Sequence, residues 1–214
     1  APWPKRSAPA SEKWRKHWAF QPLKRSPMPA VSNNDWSRSS VDPFILARLE
    51  AAGLAPAPEG DRRSLLRRLT MDLTGLLPTV DEISAFESAS VPDAYERVVD
   101  QLLASPHYGE AWGRHWLDVA RYADTKGYVY AREERVWTHA WAYRDWVVRT
   151  LNSDLPYDRF IMLQIAADQL AEDPSDLAAM GFLTLGRRFL GVTRDIIDDR
   201  IDVVTRGTMG LTAG

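Results

Sequence analysis

Cysteine is absent from the 214-residue sequence, and this absence is the first limit on what the chain can do. Without thiols there is no disulfide, cysteine nucleophile, thiolate metal site or covalent haem attachment within these residues. The sequence also has no run of about 18 apolar residues, so we expect no membrane insertion. Its N-terminus lacks the basic, apolar and small-residue order of a secretion signal.

Neither sign of charge dominates the sequence. Its 27 basic residues are scattered among 29 acidic ones, which gives a formal net charge of −2. The densest basic run, at residues 62, 63, 67 and 68, is interleaved with leucines and is typical of a solvated helix face. Because no basic stripe is present, we expect no nucleic-acid partner.

The common catalytic and cofactor motifs are absent as well. No phosphate-binding GxxxxGK loop, GxSxG elbow, HExxH zinc motif or Rossmann glycine pattern occurs. The four histidines share no metal-ligand spacing. We therefore predict no metal site and no cofactor within these residues.

What the sequence does contain is helical periodicity. Apolar residues make up 45% and charged residues 26%, as in ordinary globular domains. No strand-type alternation is evident, so we predict an all-α, irregular multi-helix bundle over residues 41–214. The predicted helices cover residues 41–53, 61–73, 79–86, 92–104, 108–123, 138–151, 157–170, 175–185 and 195–209.

Residues 1–40 form a different region, rich in proline and tryptophan. Six prolines hold it extended, with one short helix predicted around residues 11–19. Large aromatic side chains gain much from burial, so we predict that this extended N-terminal arm packs on the helical body. Those aromatic residues are Trp3, Trp14, Trp18, Phe20 and Trp36.

The block from Arg114 to Asp124, RHWLDVARYAD, is the first candidate for chemistry. His115 and Asp118 lie three residues apart on a predicted helix, close enough to hydrogen-bond. A carboxylate that holds an imidazole suits general acid-base catalysis, and Asp124 is a second candidate carboxylate. The structural alternative is an intrahelical pair or a histidine inside the core. Trp112, Trp116 and Val119 are predicted to face that core.

Arg144 lies on an apolar stripe of the next predicted helix, with Trp137, Trp141, Val148 and Leu151. A buried guanidinium needs a partner, because breaking a buried pair costs about 3 to 5 kcal/mol. Asp118 and Asp124 are the predicted partners. This network either holds the helices together or forms an anion clamp, in which Arg144 and Arg121 are the ligand-binding residues.

The segment from Thr125 to Val136 connects those two helices. It carries Tyr128 and Tyr130 beside Gly127, and a polar loop of this kind suits a ligand site. With Trp137, the two tyrosines form an aromatic set that favours a sugar as ligand. The alternative is that the loop only connects the helices.

Four aspartates share one face of the last predicted helix, at positions 195, 198, 199 and 202. Carboxylate oxygens of this kind bind hard cations such as calcium. However, no calcium-loop glycine pattern is present, and the dipole at a helix N-terminus favours aspartate there in any case. Arg206 follows Asp202 by four residues and is its predicted partner.

Several segments of the chain, taken together, resemble the cytochrome-associated domain of unknown function of large planctomycete-type secreted or surface proteins. They are HWAFQPLKR (17–25), VDPFILARLEAAGL (41–54), LLRRLTMDLTGL (65–76), YGEAWGRHWLDVARYADT (108–125), YRDWVVRTLNSDLPYDRF (143–160) and DIIDDRIDVVTRGTMGLT (195–212). The resemblance implies an extracytoplasmic location, periplasmic or at the cell surface, within a multidomain parent chain. It also implies that the family's CxxCH haem-attachment segment follows the last matching residues, so that haem c would belong to the longer parent.

These observations lead to three hypotheses for function. The first is a helical scaffold or interaction module of an extracytoplasmic, cytochrome-linked protein, whose partners are other domains of its own parent chain. The second is a hydrolase of polysaccharides, with His115, Asp118 and Asp124 as acid and base and Arg144 as anion holder. The third is a carbohydrate-binding module that uses Tyr128, Tyr130 and Trp137.

Overall fold

The computed structural model describes residues 16–126, 134–186 and 192–212, apart from the side chain of Asn34. The chain divides into two compact units, residues 1–59 and 60–214. The described residues form nine α-helices: α1 (Asp42–Ala51), α2 (Arg62–Thr74), α3 (Val80–Ser88), α4 (Ala94–Leu103), α5 (Pro106–Val119), α6 (Ala140–Asn152), α7 (Tyr157–Leu170), α8 (Gly181–Thr184) and α9 (Thr193–Met209).

The all-α prediction is confirmed. Within the described ranges, β pairing is limited to one isolated antiparallel bridge between Thr125 and Val136. Three 3-10 turns accompany the α-helices, at Trp18–Phe20, Asn34–Trp36 and Pro174–Met180. None of the described helices combines the length and apolar character that crossing a membrane requires.

The first unit contains α1 and the segment before it. The backbone amides of Arg38 and Ser39 donate to Asp42 Oδ2 at 2.7 and 2.8 Å, and these bonds lower the pKa of Asp42. Trp18 is 82% exposed and Phe20 is 52% exposed. Trp3, Trp14 and most of the predicted short helix lie outside the described residues, and the packing of the arm stays a prediction.

In the second unit, capping residues mark the predicted ends of α2 and the start of α3. Asp61 accepts a hydrogen bond from the Ser64 amide at 2.9 Å at the start of α2. That helix ends at Gly75, whose φ of 71° is the left-handed conformation typical of glycine at this position. At the start of α3, Thr79 and Glu82 form the predicted capping box.

Two predicted helices differ from the observed ones. α5 begins at Pro106 with Ser105 as its cap, and ends at Val119 rather than residue 123 because Arg121 has a φ of 59°. The helix predicted over residues 175–185 is a 3-10 stretch, Pro174–Met180, followed by the single turn of α8. The left-handed conformation of Arg121 and the 3-10 stretch cause these differences, and the spacing of apolar side chains predicts neither of them.

The main core is aromatic and joins α5, α6, α7 and α8. Trp146 stacks on Phe160 with ring centroids 5.2 Å apart, and Trp116 stacks on Phe182 at 5.7 Å. Trp146 and Phe182 are both 1% exposed. A smaller core of Leu66, Phe86 and Ala94 joins α2, α3 and α4.

The predicted core faces of α5 and α6 need correction. Trp112 and Val119 are 43% and 37% exposed, and Trp141 is 50% exposed. The faces that pack together are instead formed by glycines and neighbouring aromatic residues. On α5 these are Gly109, Gly113 and Trp116, followed by the C-cap residue Ala120, and on α6 they are Tyr143, Trp146, Val147 and Thr150.

The backbones of α5 and α6 approach each other closely at Gly109. A Cβ atom at this position would lie 2.5 Å from the backbone oxygen of Val148 and 2.7 Å from the Asn152 side chain. Asn152 fixes the contact, because its Oδ1 accepts from the Gly109 amide at 2.7 Å and its Nδ2 donates to the Pro106 carbonyl at 3.0 Å. Any side chain at position 109 would therefore push the two helices apart.

We predict that Gly109→Ala lowers the free energy of unfolding by about 1 to 3 kcal/mol, because overpacking against a backbone atom cannot be relieved by a rotamer change. Urea unfolding measures this effect. Gly60→Ala is the control, since a Cβ there meets nothing closer than 3.7 Å. Equal stability of the two variants would contradict the role assigned to Gly109.

Candidate functional site

A hydrogen-bonded group of three side chains lies inside the main core. Gln164 is fully buried, and its Oε1 accepts from Trp116 Nε1 and from the Tyr143 hydroxyl, both at 2.7 Å. Burial raises the pKa of Tyr143 well above its usual value, so this hydroxyl stays protonated. These polar groups satisfy one another, which makes the triad a structural element rather than a reactive one.

The predicted acid-base pair of the Arg114 to Asp124 block does not assemble. His115 and Asp118 are both exposed on α5, and no hydrogen bond joins them in the described structure. The ring contact of His115 is with Trp112, edge to face at 5.7 Å between centroids. A catalytic role for His115 and Asp118 stays a prediction, without a geometry that favours it.

Arg144 is exposed, and the prediction of a buried partner in Asp118 or Asp124 was wrong. Its Nη2 lies 2.8 Å from Oδ1 of the adjacent Asp145, and this bond raises the pKa of Arg144. Asp124 accepts instead from the Tyr122 hydroxyl at 2.6 Å. Arg144 lies off the buried face of α6, which leaves it free to line a surface groove with Arg114 and Arg149.

Arg121 makes the partly buried ion pair of this region. Its guanidinium forms two hydrogen bonds with Asp199 of α9, and the pair lies directly against Gly186. The Arg121 side chain is 28% exposed and the Asp199 side chain 13%. The sequence predicts Arg121 as a ligand-binding residue and leaves open a cation site at the face that includes Asp199, but the structure pairs these two residues with each other.

Two further aspartates of α9 also face arginines. Asp202 Oδ2 lies 2.6 Å from Arg206 Nη2, as the spacing predicted, and Asp198 Oδ2 lies 3.9 Å from Arg194 Nε. Across residues 16–126, 134–186 and 192–212 no three acidic or histidine side chains gather as a cation site. The acidic face of α9 thus serves ion pairing in this structure.

The loop between α5 and α6 is held together at its base. The Lys126 amide donates to the Arg135 carbonyl and the Trp137 amide to the Asp124 carbonyl, both at 2.8 Å. This pairing places Lys126 Nζ 5.0 Å from the centre of the Trp137 ring. Tyr128 and Tyr130 lie outside the described residues, so their predicted ligand contacts stay predictions.

A cleft of about 600 Å³ opens beside Trp137, and we call it the Trp137 cleft. The wall is formed by the loop base, the start of α6, the 3-10 stretch and α8, and most of its polar side chains come from the loop base and the start of α6. The polar lining residues are Lys126, Glu134, Thr138, His139 and Thr184, and the apolar ones include Val136, Leu177, Met180 and Leu185.

Trp137 carries an unsatisfied hydrogen-bond donor. Its Nε1 is buried and has no partner in the described part of the chain. Indole N–H groups usually find a partner when they are buried, and an unmade bond costs about 1 to 3 kcal/mol. The indole ring lines the cleft, whereas its Nε1 is shielded from solvent.

Sequence reasoning found part of this cleft, namely Trp137 and the predicted ligand loop from Thr125 to Val136, which contributes Lys126, Glu134 and Val136 to the lining. His139 was noted solely as a histidine without metal-ligand spacing, and Lys126 only as part of a polar loop. Thr184 gave no signal, because α8 approaches the loop only through the tertiary fold. Gln164 gave a weak signal, as a lone polar residue on an otherwise apolar helix face.

The family comparison extends over most of the chain. Residues 40–214 match the PSCyt2 family model, whose description is "Protein of unknown function (DUF1549)". No curated protein and no solved structure matches the chain.

We predict that Asp199→Asn lowers the free energy of unfolding by about 1 to 3 kcal/mol, because it leaves the partly buried Arg121 charge without its carboxylate. Chemical denaturation gives the value. Asp198→Asn on the same helix is the matched control and should change stability by no more than about 0.5 kcal/mol. If Asp199→Asn lowered the free energy of unfolding less than Asp198→Asn, the stabilising role of the Arg121–Asp199 pair would be refuted.

A second prediction concerns alkaline pH. Burial, followed by the hydrogen bond to Asp124, raises the pKa of Tyr122 from 10.0 to about 12. Its contribution to stability is therefore complete below pH 10.0 and is lost as the pH rises toward about 12. Tyr122→Phe should make the unfolding free energy fall less steeply across this range. An identical pH profile for both proteins would show that Tyr122 titrates normally.

Proposed function

This chain belongs to the PSCyt2 family of proteins of unknown function (DUF1549), and from that starting point we propose that it is a helical carbohydrate-binding module. The observation that carries the proposal is the Trp137 cleft, in which the indole ring of Trp137 lies beside a polar wall and an apolar one. The proposal joins the sequence-based hypotheses of an interaction module and of sugar recognition at this loop.

Binding is favoured over hydrolysis by the separation of the candidate catalytic groups. The groove that Arg144 lines is formed without His115 or Asp118, so these three groups do not meet in one pocket. Asp124 is occupied by the Tyr122 hydroxyl. A glycosidase needs two carboxyl groups on facing walls, and this arrangement offers no such pair around a common cavity in the described structure.

The cleft walls match the two kinds of surface that a sugar presents. Sugar hydroxyls both donate and accept hydrogen bonds, and the wall offers Lys126 as a donor, Glu134 as an acceptor and Thr138 as either. The C–H surfaces of a sugar ring are apolar, and Leu177, Met180 and Leu185 provide apolar contact. A cleft of about 600 Å³ lies within the size range of small-ligand sites.

The wider setting that we propose comes from the resemblance of the sequence to cytochrome-associated domains. In this setting the chain is part of an extracytoplasmic, cytochrome-linked multidomain protein, and haem c belongs to the parent rather than to these residues. Other domains of that parent are its protein partners. The binding module would then hold polysaccharide near those domains.

The proposal predicts that the purified chain binds oligosaccharides and that Trp137→Ala weakens the binding by about ten-fold or more, through loss of the contact with the indole ring. A glycan array of neutral and acidic oligosaccharides identifies the ligand. Calorimetric titration with the strongest binder then measures the change in affinity.

Trp141→Ala is the matched control, because Trp141 is a half-exposed tryptophan of the same region that does not line the cleft. It should keep the wild-type affinity. The carbohydrate proposal would be overturned if no oligosaccharide on the array bound the chain, or if both substitutions weakened oligosaccharide binding equally.

A further inference from the structure

A second cavity lies on the surface of the α5 and α6 pair. It measures about 630 Å³ and contains three arginines, Arg114 from α5 with Arg144 and Arg149 from α6. We call it the arginine groove. Leu117 and Val148 are its apolar lining residues, and Glu110 and Asp145 are its acidic ones.

The arginines reach one groove because of their spacing on two closely packed helices. Residues 110, 114 and 117 share one face of α5, and residues 144, 145, 148 and 149 share one face of α6. The close approach at Gly109, fixed by the two hydrogen bonds of Asn152, keeps these faces together. The groove therefore rests on rigid helices rather than on a loop.

Among the described residues, the acidic groups near the groove do not form ion pairs with all three arginines. Arg149 pairs with Asp176 at 3.0 Å, and Arg144 pairs with its sequence neighbour Asp145. Glu110 Oε2 lies 2.7 Å from His107 Nδ1, and Glu110 forms no ion pair with an arginine in the described structure. Arg114 has no ion-pair or hydrogen-bond partner within the described ranges.

Besides the unpaired Arg114, the groove contains N–H donors of Arg144 that make no hydrogen bond within the part of the chain that the structure describes. A guanidinium carries five N–H donors in a planar fork, and Arg144 directs only Nε and Nη2 at Asp145. The fork matches the oxygen geometry of carboxylate, phosphate and sulfate groups, which bind it through paired hydrogen bonds. The groove thus offers donors from two helices to one anionic group.

We propose that the arginine groove is a binding site for an oxyanion group, such as a phosphate, sulfate or carboxylate. Arg114 and Arg144 hold the group from opposite helices, and Arg149 adds positive charge beside it. This site is separate from the Trp137 cleft, with which it shares no lining residue, and it does not depend on carbohydrate binding there.

The experiment titrates the whole chain with inorganic phosphate at mildly alkaline pH, where phosphate is a dianion, and follows binding by phosphorus NMR and calorimetry. Sodium chloride keeps the ionic strength constant, so that general screening does not change during the titration. Parallel titrations with sulfate, acetate and a phosphate monoester separate a free ion from a substituent group as the source of the oxyanion.

Arg114→Gln should weaken phosphate binding by about ten-fold, since it removes a charged fork donor. Arg114→Lys should weaken it less, because the charge remains but the fork is lost. Arg200→Gln, which removes an exposed arginine from α9, is the control and should leave the affinity unchanged.

Two results would overturn the proposal. One is the absence of phosphorus line broadening and of binding heat in the wild-type chain for every oxyanion. The other is equal weakening by Arg200→Gln and Arg114→Gln, which would show that net charge alone attracts the anion. Circular dichroism and thermal melting verify that each variant is folded, and Arg144→Gln gives a second, independent test of the groove.

Discussion

At Gly109 the backbone of α5 lies so close to the Val148 carbonyl of α6 that no side chain fits between them. This contact sets the distance between the two helices that carry most of the features described above. On the buried side it brings Trp116 to Tyr143, where Gln164 of α7 completes the triad. On the exposed side it aligns the arginines of the groove. Rigid helix packing thus satisfies the polar groups of the buried triad and aligns the arginines of the proposed binding groove.

The fold could be predicted largely from sequence, because helix periodicity and capping chemistry are local. The capping box of Thr79 and Glu82 located α3, and Gly75 marked the end of α2. The face of α5 could not be predicted in the same way. Because tryptophan is large and apolar, the hydrophobicity pattern predicted that Trp112 faces the core, but Trp112 is exposed. The face that contacts α6 is defined by glycines, which contribute almost nothing to such a pattern.

The candidate sites show the limit of sequence more clearly. The sequence alone does not show which carboxylate pairs with which arginine. Arg121 pairs with Asp199, which is distant in sequence, and this pair was not predicted. Arg144, predicted to pair with Asp118 or Asp124, pairs with its neighbour Asp145. The position of Trp137 beside a ligand-sized cleft was partly predictable, since a polar loop precedes it. The approach of α8 that completes the cleft was not, because residues 126 and 184 share no sequence pattern.

The left-handed turn at Arg121 has a consequence for the chain during its synthesis. Asp199 follows Arg121 by 78 residues. At roughly 5 to 20 residues per second, synthesis separates the two by roughly 4 to 16 s. During that interval only local bonds end α5, from the Arg121 amide to Asp118 at 3.1 Å and from the Tyr122 amide to Leu117 at 2.9 Å. These local bonds do not involve Asp199, so the end of α5 at Arg121 needs no contact with α9, which is synthesised later.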